Sequence, residues 1–268
     1  MPFAAINGIQ INYDVHGSGD ALVLISGLGY DKWQWHMMVP GLAEHFTVIT
    51  LDNRGAGDSD KPAGPYTASL LAADVAALLD ALHVERAAVM GHSMGGFVAQ
   101  AFALEHADRL TKLILSATNF GGPRHIPITA EAMAVLTDTK SDPIERLRRG
   151  IAISCAAGFA DAHPDLVQRW IDYRVAHPID PAGYQAQLAI GLGLLAEAAC
   201  FEHKLPAITA PTLILFGAQD KVVPPGNAEL LARQIPRSTI ALLPDAGHFF
   251  PFEVPDVANE VIVNFLKG

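Results

Sequence analysis

The stretch Ala87-Ala88-Val89-Met90-Gly91-His92-Ser93-Met94-Gly95-Gly96 decides how the rest of the chain is interpreted. It opens with four apolar residues typical of a buried strand, and apolar residues at helical spacing follow it. Between the two lies a Gly-x-Ser-x-Gly pattern, which needs a sharp turn from a strand into a helix. The flanking glycines let the chain pass, and Ser93 then stands at a helix N-terminus, where free backbone N–H groups favour negative charge.

The composition limits the classes of protein to consider. Of 268 residues, 50% are hydrophobic and 17% are charged, which favours a sheet covered on both faces. The formal net charge of −10 argues against a nucleic-acid partner, which would need a clustered basic face. No apolar run approaches the roughly 18 residues of a membrane span, and no basic residue precedes Lys32. We therefore expect a cytoplasmic protein without a signal peptide or membrane contact.

Apolar strands alternate with helical patterns near both ends of the chain. Strands are predicted over 4–6, 9–13, 21–25, 46–51, 87–90, 113–115, 212–216 and 238–243. Helices are predicted over 33–44, from a cap at Ser69 to Leu82, after Ser93, and over 227–234 and 256–266. Repeated strand–helix–strand units predict an α/β fold, with a mostly parallel eight-stranded sheet and helices on both faces.

The alternation stops between about residues 120 and 206. Helical patterns cover 130–136, 143–155, 162–175 and 181–201, and no convincing strand separates them. We expect residues 1–120 and 207–268 to form an α/β core and residues 121–206 to form an all-helical cap. In open parallel sheets, ligands bind beyond the carboxyl ends of the strands, so the cap is expected to lie above Ser93.

Two further residues have the order and position that a serine nucleophile requires. A serine hydroxyl needs an adjacent base, usually a histidine oriented by a carboxylate. The partners should follow in the order serine, acid, histidine, each in a loop after a strand. Asp220 and His248 each come just after a predicted strand. We predict Ser93 as nucleophile, Asp220 as orienting acid and His248 as base; Asp245, on the loop of His248, is the competing acid.

An acyl-transfer site also needs donors for the developing oxyanion. We predict the backbone N–H of Met94, which follows the nucleophile, and that of Leu28 in the Gly27-Leu28-Gly29 loop. Aromatic side chains are expected to line an apolar substrate pocket. The candidates are Trp33, Phe120, Trp170, Tyr173 and Phe249.

These motifs together resemble those of the α/β-hydrolase superfamily. The matching stretches are Gly27-Leu28-Gly29, Asp52–Ser59, Gly91–Gly95, Asp220 and Gly247-His248. Within the superfamily the chain is similar to the branch of carboxylesterases and 3-oxoadipate enol-lactonases. Ser26 stands where relatives often have histidine, and enol-lactonase-like members also have serine there. The resemblance implies a serine hydrolase that cleaves a carboxylic ester or lactone without a cofactor.

Other functions remain open on the same scaffold. The same three residues could perform hydrolytic C–C cleavage or a lyase reaction, and a ligand-sensing protein could keep the fold with only vestigial turnover. No Walker A and no His-Glu-x-x-His pattern occurs, so neither a nucleotide nor a metal ion is expected. The expected partner is a small-molecule ester or lactone, and the expected state is a monomer or homodimer.

Overall fold

The computed structural model describes residues 2–138 and 140–268. Eight strands form one sheet in the order β1-β2-β4-β3-β5-β6-β7-β8. Strand β2 runs antiparallel to both β1 and β4, and the other neighbours pair in parallel. The predicted eight-stranded, mostly parallel sheet is confirmed. Its strands are β1 (Phe3–Ile6), β2 (Ile9–His16), β3 (Ala21–Ile25), β4 (Thr47–Leu51), β5 (Ala87–His92), β6 (Leu110–Ser116), β7 (Thr212–Gly217) and β8 (Ser238–Leu243).

Helices connect and cover these strands. None of those in the described residues is long and apolar enough to cross a membrane. They are α1 (Val39–Ala43), α2 (Ala68–Ala81), α3 (Met94–Glu105), α4 (Ala130–Leu136), α5 (Pro143–Ser154), α6 (Phe159–Ala162), α7 (Pro164–Ala176), α8 (Pro181–Gly193), α9 (Gly226–Gln234), α10 (Phe250–Glu253) and α11 (Pro255–Lys267).

The sheet separates two hydrophobic clusters because successive side chains of a strand point to opposite faces. On β3, Val23 packs into a cluster that contains α2 and α3 residues, whereas Leu24 packs into a cluster that contains α1 and α11 residues. Both side chains are fully buried. The helices therefore cover both faces, as the apolar strands predicted.

The helix predicted over 33–44 is interrupted. A 3₁₀ turn covers Lys32–Trp35, and α1 begins only at Val39 with Pro40 in its first turn. Proline lacks the N–H that a continuous helix needs, but it fits a first turn. The predicted cap at Ser69 was also wrong. Thr67 caps α2, since its hydroxyl accepts the Leu70 N–H at 3.1 Å.

The regular secondary structure of the described residues between β6 and β7 is entirely helical. The helix predicted over 162–175 is α7, which begins at Pro164 because proline fits a first turn, while Ala162 ends the short helix α6. The helix predicted over 181–201 ends at Gly193. Glycine is a poor helix former, and Gly191 and Gly193 lie together at this end.

Candidate active site

Ser93 makes the turn between β5 and α3 by itself. Its backbone has φ 56° and ψ −119°, a conformation that is strained for any residue with a side chain. A Cβ on Gly91 would lie 2.1 Å from the carbonyl oxygen of Gly95, and a Cβ on Gly95 would lie 2.3 Å from the carbonyl oxygen of Ile25. The turn therefore requires both flanking glycines, as expected from the motif.

Hydrogen bonds to the neighbouring strand hold this strained turn. The Ser93 N–H donates to the Ser116 carbonyl at 2.9 Å, and the Thr118 hydroxyl donates to the Ser93 carbonyl at 2.8 Å. Neither bond uses the Ser93 hydroxyl. The side chain is therefore left to face the cavity that Ser93 lines.

Asp220 and His248 meet at the carboxyl edge of the sheet, beyond β7 and β8. Nδ1 of His248 lies 2.8 Å from Oδ2 of Asp220, and both side chains are buried. The other carboxylate oxygen accepts the backbone N–H groups of Val222 and Val223, each at 2.8 Å. Asp245, the competing acid, lies exposed. The carboxylate that meets His248 is therefore that of Asp220.

The buried pair fixes the tautomer of His248. An ionised carboxylate can only accept, so Nδ1 of His248 carries the hydrogen. In the neutral ring, Nε2 then has the free lone pair that a base needs. His248 lines the same cavity of about 650 Å³ as Ser93.

His92 forms the wall behind His248. Its ring centre lies 4.8 Å from that of His248, and its Nδ1 lies 2.8 Å from the Ser116 hydroxyl. Burial lowers the pKa of His92 well below 6.5, and the neighbouring His248 lowers it further. His92 is therefore neutral and adds no positive charge beside the base.

The predicted oxyanion loop runs directly against Ser93. A Cβ on Gly27 would lie 3.3 Å from Cβ of Ser93. The N–H groups on either side of Leu28 already have acceptors. That of Gly27 donates to Oε1 of Gln34 at 3.0 Å, and that of Gly29 donates to Oε1 of Gln187 at 2.9 Å. Within the described residues, the Leu28 N–H has no acceptor. It is therefore available to a ligand.

Met94 provides the second predicted donor. It is the first residue of α3, and the first N–H groups of a helix have no acceptor within the helix. Leu28, Ser93 and Met94 together line a small cavity of about 150 Å³. The two predicted oxyanion donors are thus brought together beside Ser93.

Only one of the five predicted pocket aromatics lines the larger Ser93 cavity. Phe249 does so. Trp33 and Tyr173 stack on each other with ring centres 4.0 Å apart and line a separate cavity of about 760 Å³. Phe120 is buried in the main core, and Trp170 is buried with its ring stacked on Phe252. The structure thus places Phe249 at the Ser93 cavity, Trp33 and Tyr173 at another cavity, and Phe120 and Trp170 in the core.

The structure adds polar residues that sequence reasoning missed. Arg174 of α7 lines the Ser93 cavity, where its Nη2 donates to the Gly29 carbonyl at 3.2 Å. Gln187 of α8 is fully buried, accepts the Gly29 N–H and donates to the Arg54 carbonyl at 2.9 Å. Both lie in predicted helices of the insert, and only the fold brings them to the Leu28 loop.

A family model described as alpha/beta hydrolase fold matches residues 20–255 of the chain. The chain belongs to the α/β-hydrolase family. The match includes strands β3 to β8, Ser93, Asp220 and His248. In this α/β hydrolase the strained serine, the histidine–aspartate pair and the Leu28 loop all lie at the carboxyl edge of the sheet.

Relatives and solved structures agree on this family. The enol-lactonase of Burkholderia xenovorans LB400 has a TM-score of 0.82 and 30% identity over the whole of both chains. A protein of Caulobacter sp. (strain K31), whose name proposes carbamate hydrolysis, is 29% identical over all of this chain and 99% of its own. The 2-hydroxy-6-oxononadienedioate/2-hydroxy-6-oxononatrienedioate hydrolase of Paraburkholderia xenovorans (strain LB400) is 30% identical over 96% of this chain and 91% of its own. This α/β hydrolase is thus similar to proteins named for three different substrates.

Proposed function

We propose that this hydrolase cleaves a carboxylic ester or lactone through an acyl-enzyme on Ser93, with His248 as base and Asp220 as orienting acid. The observation that carries the proposal is the buried 2.8 Å bond from His248 to Asp220, in a cavity that His248 shares with the strained Ser93. This arrangement has the parts of a serine-dependent acyl-transfer site. The similarity to an enol-lactonase over the full chain supports the same chemistry.

The proposed steps are those of serine-dependent acyl transfer. Ser93 Oγ attacks the carbonyl carbon while Nε2 of His248 takes its proton, and Asp220 stabilises the cation that forms. The N–H groups of Leu28 and Met94 donate to the resulting oxyanion. Collapse breaks the ester C–O bond, and His248 returns the proton to the leaving oxygen. His248 then deprotonates water, which attacks the acyl-enzyme and frees the acid and Ser93.

Residues 121–206 serve in this proposal as the cap. Leu147 of α5, Arg174 of α7 and Tyr184 of α8 all line the Ser93 cavity, so the helical insert covers it. A cavity of about 650 Å³ is in the usual range for a small-molecule site. The cap therefore selects which acyl compound reaches Ser93.

The charge of the cavity favours a substrate with an anionic group, because Asp138, the carboxylate among its described lining residues, is paired with Arg149, and two arginines remain. Arg174 is buried, with its guanidinium carbon 4.8 Å from the centre of the Tyr30 ring. In the described residues no carboxylate forms an ion pair with it. Arg146 lines the same cavity and likewise has no carboxylate partner among those residues. A buried cation is costly unless it is paired, so a substrate carboxylate is the fitting complement.

Covalent labelling tests the proposal directly. A fluorophosphonate probe should add one phosphonyl group to Ser93, located by mass spectrometry of peptides. Ser93→Ala should lose both the label and the turnover of p-nitrophenyl acetate, whereas Ser69→Ala, on the exposed side of α2, should keep both. Labelling of another residue, or turnover that persists in Ser93→Ala, would refute the assignment.

Hydrolytic C–C cleavage is the second candidate. The observation that favours it is the similarity to the Paraburkholderia hydrolase named for 2-hydroxy-6-oxo-dienedioates. A panel of esters and lactones should be assayed beside a 2-hydroxy-6-oxo-dienoate. Turnover of the dienoate that depends on Ser93, with negligible turnover of the whole ester and lactone panel, would replace the first proposal with the second.

A further inference from the structure

We propose that Glu253 is a positioning residue that holds His248 in place by clamping the backbone of its loop to segment 154–157, which follows α5. The inference rests on the proposed role of His248 as base. Glu253 is the last residue of α10 and does not line the Ser93 cavity. Its hydrogen bonds reach the base only through the backbone of the loop that it binds.

The carboxylate of Glu253 joins two separate pieces of backbone. Its Oε1 accepts the N–H of Gly247, the residue before the base, at 3.0 Å. Its Oε2 accepts the N–H of Ala156 at 2.6 Å and that of Gly247 at 3.1 Å. Hydrogen bonds from N–H groups to an ionised carboxylate are among the stronger ones in proteins. One side chain thus ties the histidine loop to the helical insert.

The same two pieces of backbone touch each other directly. The N–H groups of His248 and Phe249 both donate to the Ser154 carbonyl, at 2.7 and 3.2 Å. A Cβ on Gly247 would lie 2.6 Å from the carbonyl carbon of Cys155. The loop is therefore packed against the insert, and a small displacement of the insert would move His248.

The acid's loop is tied to the same segment. The side-chain oxygen of Gln219, the neighbour of Asp220, accepts the Ala157 N–H at 3.1 Å, and the Gln219 N–H donates to the Ala246 carbonyl at 2.9 Å. Segment 154–157 thus contacts the loops of both His248 and Asp220. Glu253 provides the charged bonds of this junction.

Because Glu253 is largely buried, its charge changes with pH near neutrality. Burial raises the pKa of the carboxyl to about 7, with Asp220 adding to the rise, while the bonds from Ala156 and Gly247 and the nearby His248 oppose it. The Cys155 thiol is the other titratable group beside it, and its pKa is raised well above 9 by burial and by Glu253. Protonation of Glu253 removes the negative charge that the two N–H groups share, so the clamp weakens as the pH falls below about 7.

The variant Glu253→Gln keeps the size of the side chain and removes its charge. We expect kcat to fall about tenfold and KM to change less than twofold, since misplacing a catalytic group by about 1 Å can cost up to about a hundredfold in rate. In Glu253→Ala, kcat should fall further. The matched control is Glu260→Gln, an exposed carboxylate on α11, which should leave both constants unchanged.

The pH profile separates positioning from simple loss of stability. In the wild type, kcat/KM should fall more steeply as the pH falls through about 7 than it does in Glu253→Gln, because Glu253 loses its charge over this range. Glu253→Gln should show a one-proton slope and a lower plateau. Rates are normalised to the fraction of Ser93 that a fluorophosphonate labels, so a partly unfolded variant does not mimic the effect.

Hydrogen exchange tests the clamp without any turnover. At pH 8, peptides that contain segments 154–157 and 245–249 should exchange faster in Glu253→Gln than in Glu260→Gln, with the rest of the chain unchanged. If Glu253→Gln has the same hydrogen exchange, plateau rate and pH slope as the wild type, the proposal is overturned. If exchange rises as expected but the wild type shows no turnover that depends on Ser93, the clamp stands as a structural contact, and it is the proposed function that fails.

Discussion

His248 Nδ1 lies 2.8 Å from Oδ2 of Asp220, and this contact is closed to solvent on both sides. The remaining oxygen of Asp220 is held by two backbone N–H groups, so the carboxylate cannot rotate away without losing them. The pair therefore fixes which nitrogen of His248 faces the cavity. This relationship makes Asp220 the residue whose change should affect the base most specifically.

Asp220→Asn should lower kcat by about 10⁴-fold while the protein stays folded. The amide can present its N–H₂ group to Nδ1, which favours the wrong tautomer and leaves Nε2 without a free lone pair; a loss of about this size accompanies the same change in serine proteases. Steady-state kinetics with p-nitrophenyl acetate measure it. Asp245→Asn is the matched control on the exposed competing acid and should keep wild-type activity. The reverse result would assign the acid to Asp245.

The sheet and the three candidate catalytic residues could be predicted because their signals are local. An apolar strand, a glycine-flanked serine and a helical pattern are adjacent in the chain, and the strained Ser93 follows from them. Asp220 and His248 were predicted from their positions directly after strands. A parallel sheet brings such loops to one edge, so the position of each residue after a strand was enough to predict that the three lie close together.

The pocket could not be predicted in the same way. Trp33 and Tyr173 are typical pocket residues by composition, yet their stacked rings line a cavity other than that of Ser93. Arg174, Gln187 and Glu253 form hydrogen bonds with backbone atoms distant in sequence, and no spacing rule marks them. Their roles depend on how the helical insert sits on the sheet, which periodicity does not encode.

Asp74→Ala should destabilise the protein by about 3–5 kcal/mol, because it leaves a buried cation without its partner. Asp74 receives two hydrogen bonds from Arg54, at 2.5 and 2.6 Å, and both side chains are buried. Urea unfolding followed by circular dichroism measures the change. Glu229→Ala removes the exposed Arg233 pair and should shift the midpoint little. Equal midpoints in the two variants would contradict the importance of the buried pair.

Arg174→Met should lower kcat/KM about tenfold for esters that carry a carboxylate and have little effect on neutral esters. The expected loss corresponds to about 1.4 kcal/mol, at the lower end of what a charge-assisted hydrogen bond contributes. The measurement compares p-nitrophenyl hemisuccinate with p-nitrophenyl butyrate. Arg148→Met, on the exposed face of α5, is the matched control and should change neither rate. An equal loss on both esters would argue that Arg174 supports the cavity wall rather than binding an anion.

The free energy of unfolding at acidic pH should depend on His92. Burial and the neighbouring His248 lower the pKa of His92 well below 6.5 in the folded protein, whereas the unfolded chain binds its proton near 6.5. Below pH 6.5 the unfolded state therefore holds more protons at this site, so His92 lowers the free energy of unfolding as the pH falls, whereas Glu253, with its raised pKa of about 7, acts in the opposite direction. Urea midpoints between pH 7.5 and 5 should have the same pH dependence in the wild type and in His16→Asn, where the exposed His16 is changed. Relative to them, His92→Asn should become more stable toward pH 5, and an unchanged pH dependence there would mean that His92 does not contribute to acid unfolding.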